Sequence, residues 1–169
     1  MNSNIQEQIA SLTQELRPYP ETRAEWFWYF STSDDESFVD SCLEDESEYA
    51  RRVWRDSEFC SFNKAEVEEY ADCYRRLKLY QLLGKKAEKD FPLNWRDRTQ
   101  CKYATDFVGC AQEHLETGLI TCFRERITVL GGVWFANESD RLHALSVCGI
   151  DRSFQEKCAR FGLGGVDAR

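Results

Sequence analysis

Three prolines and nine glycines in 169 residues are too few for an all-β chain, which must turn often. Long apolar runs are missing too. The longest, ITVLGGVWFA at 127–136, has about half of the ~20 residues that a membrane span needs, so no transmembrane helix is expected. The opening residues, MNSNIQEQIASL, put no basic region ahead of an apolar one and are not Arg-rich. Neither a secretory signal nor a cleaved mitochondrial address is expected there. No CxxC occurs, which removes the standard zinc knuckle and the thioredoxin spacing, and with only His114 and His143 no metal site is expected. GxSxG, HExxH, Walker and GxGxxG motifs are absent. Cys110 and His114 stand four apart, a spacing that arises readily by chance among eight cysteines, so no enzyme and no cofactor is expected.

Aromatic residues are plentiful, with five Trp, seven Tyr and eleven Phe, which argues for a folded chain. The net charge of −8 is unevenly spread: Ala24 to Ala50 holds nine acids and no Lys or Arg. Such a segment repels nucleic acid and anionic lipid and suits either a solvated loop or a basic partner surface. Inside it runs Trp26, Phe27, Trp28, Tyr29 and Phe30, five consecutive aromatics that cannot all face one side. The run predicts burial on two sides, within the core or against a partner, and marks these five as docking candidates.

Helical periodicity dominates elsewhere. Ile5, Ile9, Leu12 and Leu16 form a stripe that Pro18 and Pro20 end. A long helix is predicted from about Lys64 to Asp90, with capping-box spacing at Asn63 and Glu66 and Gly84 as an early stop. A third helix is predicted to start near Asp97 and run through Cys101 to Leu115. The next stretch, Leu119 to Leu130, reads as helix or short strand, and two short helices follow at Ser139–Cys148 and Asp151–Phe161. The predicted fold is mainly α, with an N-terminal helical extension at 1–91 that contains the acidic segment 24–50. A cysteine-containing helical region occupies 92–169.

The stretch 141–162, RLHALSVCGIDRSFQEKCARFG, also has helix-turn-helix cadence: Ala144, then a turn glycine at Gly149, then Ile150 and a helix carrying Arg152, Ser153, Gln155, Lys157 and Arg160. In a reduced cytosolic or phage/bacterial binding protein it would meet DNA, or the acidic segment would meet a basic protein.

The cysteines offer another reading. Cys101 and Cys110 have eight residues between them, Cys148 and Cys158 have nine, and Cys122 stands between the pairs. An antiparallel hairpin would place Cys110 by Cys148 and Cys101 by Cys158, each bridge adding about 3–4 kcal/mol. A bridge from Cys110 to Cys122 is the alternative, and spacing does not choose between them.

Segment 92–126, PLNWRDRTQCKYATDFVGCAQEHLETGLITCFRER, resembles the twin-CXnC (coiled-coil-helix-coiled-coil-helix) proteins of the mitochondrial intermembrane space, above all the B18-type accessory subunits of respiratory complex I, NADH:ubiquinone oxidoreductase. Pro92, Leu93, Arg96, Asp97, Cys101, Cys110, Cys122, Glu125 and Arg126 carry the likeness, while Gly132 stands where a fourth cysteine would fall. The resemblance implies helical hairpins with disulfide staples and no cofactor. It also implies a non-catalytic accessory subunit, peripheral to the inner membrane on its intermembrane-space side. The partners would be other subunits of the respiratory complex, and nucleic acid would not be among them.

Overall fold

The computed structural model describes residues 8, 12, 19–20, 25–33, 36–43, 47–94, 96–97, 99–104, 122–123 and 133–163. It is a mixed α/β fold with two three-stranded antiparallel sheets, not the mainly α hairpins expected from periodicity. Two compact units, Met1–Ala71 and Asp72–Arg169, divide inside the longest helix.

The first unit is built on the aromatic run. β1 (Trp26–Ser33) and β2 (Glu36–Leu43) form a hairpin with Trp26 opposite Leu43 and Ser33 opposite Glu36, and β3 (Phe59–Ser61) pairs with the other edge of β1. Aromatic residues favour the pleated strand, and alternation sends them to opposite faces. On one face Phe27, Tyr29 and Cys42 pack with Ala50, Val53 and Trp54 of α1 (Glu48–Asp56). The Phe27 and Trp54 rings meet edge-on at 5.1 Å. Ser47 caps α1 by accepting the Ala50 N–H at 3.1 Å. On the other face Phe30 is fully buried and Tyr70 stacks on Phe59, with centroids 4.6 Å apart. Tyr70 belongs to the first turns of α2 (Lys64–Asp90), whose Lys64 Nζ lies 4.7 Å over the Trp28 ring. The acidic segment is therefore largely a hairpin in which Phe27 and Tyr29 are buried on one face and Phe30 on the other, whereas Trp26 is exposed.

α2 has the bounds read from the sequence, but its start works differently. Asn63 Oδ1 accepts the Ala65 N–H at 3.1 Å, while Glu66 Oε2 accepts from the Ser61 hydroxyl at 2.5 Å and so does not close a box on Asn63. Gly84 does not end the helix. A Cβ there would collide with Val133 Cγ1, so the glycine permits close approach of the strand region to the helix. Gly84→Ala is accordingly expected to destabilise by about 1–3 kcal/mol through overpacking, outweighing the ~1 kcal/mol that helix propensity alone would add. Urea denaturation measures the sign, and a net gain would mean that Val133 moves aside without cost.

In the second unit a small sheet of β4 (Lys102–Ala104), β5 (Cys122–Phe123) and β6 (Trp134–Phe135), with β4 central, accompanies α3 (Glu138–Cys148) and α4 (Arg152–Arg160). Cys73 and Tyr80 of α2, Phe135 of β6, Ala144, Leu145 and Cys148 of α3, and Phe154 and Cys158 of α4 make the core. Asp97 starts no helix: its carboxylate accepts from the Thr99 N–H (2.8 Å) and hydroxyl (2.7 Å). Gln100 accepts the Asn94 N–H at 2.7 Å, and the fully buried Lys102 donates to the carbonyls of Asp97 (2.6 Å) and Gln100 (2.8 Å). These local side-chain bonds outcompete the helix ladder. The N-terminal stripe, save Leu12, and the rest of the predicted third helix, with Cys110 and His114, lie outside the described residues.

Candidate functional site

The two units differ in charge. Residues 1–71 hold seventeen acids against six Lys or Arg, a net of −11, whereas 72–169 hold sixteen Lys or Arg against thirteen acids, a net of +3. The acidic unit presents its charge on a built surface. Among the described residues β2 is an edge strand, and it exposes Glu36, Phe38, Asp40 and Leu43. Trp26, in register with Leu43, is 59% exposed, and Tyr49 at the start of α1 is exposed beside Glu48. The Arg52 guanidinium lies 5.7 Å over the Tyr49 ring.

Asp40 sits opposite Tyr29 in the ladder, and the Phe38 ring meets Tyr29 edge-on at 6.2 Å. Burial, and then the Asp40 charge, push the Tyr29 hydroxyl up to about 12. Tyr29 therefore stays protonated beneath a carboxylate that faces solvent. The edge joins two carboxylates and an exposed aromatic ring, an arrangement suited to holding a cationic strand or helix.

Of the aromatic docking candidates, Trp26 is on this surface and Trp28 is half-buried under Lys64, while Phe27, Tyr29 and Phe30 belong to the core. Phe38 was not singled out in the sequence, although the alternation in ESFVDSCL places it with Glu36 and Asp40 on one face.

The cysteines take other places than a stapled hairpin requires. Cys42, Cys60, Cys73, Cys101, Cys148 and Cys158 form no disulfide. Cys148 and Cys158, read as a pair along one helix, end α3 and sit within α4, with a turn at Gly149–Asp151 between them. Both are buried, as is Cys73, which the spacing did not mark. Cys101 is half-buried ahead of β4, and Cys122 falls in β5 opposite Tyr103. Thiols in such a core act as small apolar side chains.

The α3–turn–α4 stretch does fold as two helices about Gly149 (φ 59°, ψ 38°). The Ile150 N–H returns to the Leu145 carbonyl at 2.9 Å, and Asp151 caps α4 by accepting the Phe154 N–H at 2.8 Å. Arg152, Ser153, Lys157 and Arg160 are exposed on α4, whereas Gln155, expected among the base-contacting residues, is buried. Arg152 is paired with Glu156 at 3.2 Å, and Arg160 lies 5.1 Å over the Phe161 ring.

No helix among the described residues is long and apolar enough to cross a membrane, and no group of three or more metal-ligating side chains occurs among them. Fold and surface thus define a mixed α/β protein of two units of opposite charge. Compared with models of known families, with curated proteins and with solved structures, the chain matches none.

Proposed function

We propose that the chain is a non-catalytic binding protein that engages a basic protein surface through the β2 edge of its first unit. The observation that carries this reading is the net −11 of residues 1–71 combined with the exposed Phe38 between Glu36 and Asp40 on one face of β2, Trp26 and Leu43 being exposed on the other. Charge of one sign steers encounter, and a few large apolar side chains supply the contact. The likeness of 92–126 to twin-CXnC proteins adds nothing to it, because turn and strand rather than a helix surround Cys101.

A photo-crosslinking residue at Phe38, in protein expressed in its native source, tests the reading. A discrete, salt-sensitive adduct to a basic protein is expected, lost in Glu36→Lys/Asp40→Lys with the fold unchanged. No adduct at Phe38, together with salt-dependent duplex DNA binding that disappears in Arg152→Ala/Lys157→Ala, would overturn it in favour of α4.

A further inference from the structure

The second unit carries a surface of opposite character, and the argument for it is independent of the first unit. At 100° per residue, Arg75, Lys78, Lys85, Lys86 and Lys89 fall within about 120° of arc on α2 and span about 21 Å along it. All five are exposed. Between Arg75 and Lys89 no acid shares that arc: Asp72, Glu88 and Asp90 lie outside it, and Glu68, which shares its angle, precedes Arg75 by about 10 Å along the axis. In a chain of net −8, an exposed helix face with five cations and no acid departs from the usual mixed-charge pattern. Leu82, 50% exposed, stands near its centre and Leu79, 41% exposed, just beyond its edge, although α2 has an ample core face in Cys73, Leu77, Tyr80, Leu83 and Ala87.

A groove of about 210 Å³ runs along one flank of the stripe and shares Lys86 with it. Leu83, Ala87 and Phe91 of the α2 end form one wall, Ala144 and His143 of α3 the other, and Phe135 is among the lining residues. Phe91 is 54% exposed. The volume equals that of about seven liquid waters, room for one large apolar side chain. Asp90 and Asp140 also line the groove, and Asp140 accepts from Asn137 Nδ2 at 3.1 Å. Acidic groups of an occupant are therefore favoured over the stripe and disfavoured beside those two carboxylates.

Nucleic acid satisfies only part of this surface. Phosphates would meet the lysines, but the arc offers no aromatic ring to stack on a base and no Asn, Gln, Ser or Thr to read one, and it would leave the leucines against sugar and phosphate. A flat bilayer would meet the cations but would not fill a concave groove. A helix with acids on either side of an apolar stripe meets all three features at once.

We propose that the outer face of α2 from Arg75 to Phe91 docks an acidic amphipathic helix of a partner protein, with one large apolar side chain of that helix seated in the groove lined by Phe135. The test is selection of a random peptide display library on the purified full-length chain. Enrichment of acidic sequences with apolar residues three and four apart is expected. Lys78→Glu/Lys85→Glu should weaken the selected peptide by about tenfold or more and flatten its salt dependence. Leu82→Ala/Phe91→Ala should weaken it about fivefold with the salt dependence kept. All four positions are exposed, and circular dichroism checks that each variant folds. Enriched peptides without net negative charge, or binding indifferent to both double variants, would overturn the proposal. So would tighter binding of a DNA duplex or of phosphatidylserine vesicles that is lost in Lys78→Glu/Lys85→Glu, which would assign the stripe to phosphate.

Discussion

Replacing Arg76 by alanine is expected to lower the stability of the second unit by about 3–5 kcal/mol. In the sequence this residue looks like one half of an ordinary surface pair with Asp72, four positions away, and that pair is present at 3.2 Å. Its larger role is elsewhere. Nε donates to the Cys148 carbonyl at 2.7 Å, Nη2 donates to the Gly149 carbonyl, and the guanidinium lies 4.0 Å over the Phe154 ring. The last carbonyls of a helix have no partner within it, and the negative end of the dipole lies there, so a cation at the end of α3 is doubly favourable. Arg76 thus ties three helices together at one turn. Arg76→Lys keeps the charge but cannot fork to two carbonyls while stacking on a ring, and should recover less than half of the loss. Urea denaturation, with amide exchange in α3 and α4 as the local probe, measures both variants. A cost below about 1 kcal/mol for Arg76→Ala would show that solvent satisfies the turn equally well.

Above pH 9 the second unit should lose stability steeply. Burial, with the Cys73 thiol beside it, pushes the Cys158 thiol from 9.0 up to about 12, against the opposing pull of Arg76. An acid whose pKa is raised by folding stabilises the native state fully below its unfolded value and loses that contribution as pH climbs toward the folded one. The unfolded chain releases its proton first, so each pH step from about 9 to about 12 favours unfolding. By pH 11 the loss is about 3 kcal/mol. Cys158→Ala should flatten this dependence while costing some packing at pH 7. Tyr29 adds a separate alkaline loss in the first unit, beginning near pH 10, because burial and the Asp40 charge hold its hydroxyl up to about 12. Stability curves at pH 7, 9 and 11 for the wild type and Cys158→Ala distinguish the two. A wild type unchanged between pH 8 and 11 would contradict a protonated Cys158 in the folded core.

Long helices with clear caps were legible in the sequence. Lys64–Asp90 was read with its observed bounds, and the two helices about Gly149 were read to within a residue, because a glycine in the left-handed region and an Asp cap are local signals. The first sheet was not legible. WFWYF has no period because both faces of β1 are covered, and a strand buried on two sides lacks alternation. The available signal was in β2, where ESFVDSCL alternates and Asp34-Asp35 separates two strand-length runs. The thiols misled for a different reason. Spacing between cysteines describes a helix only where the chain remains helical, and Gly149 turns the chain between Cys148 and Cys158. The thiol beside Cys158 in the core is that of Cys73, more than eighty positions away, and no local pattern connects them. The acidic surface was visible as composition, but its edge strand and the company of Phe38 were not. The cationic stripe on α2 was available from the period of the predicted helix alone.

The core of the second unit joins α2 to α3 and α4, which are among the last helices of the chain to be made. At ~5–20 residues per second, the ribosome needs about 4–14 s after completing Asp90 to reach Arg160. For that interval Leu77, Tyr80 and Leu83 have none of their α3 and α4 neighbours. Closing so long a loop costs entropy before any native contact offsets it, which slows this unit relative to a hairpin whose strands are adjacent in sequence. The nascent chain therefore holds a folded acidic hairpin ahead of an uncovered apolar helix face, and it is during these seconds that a holdase chaperone has most to shield.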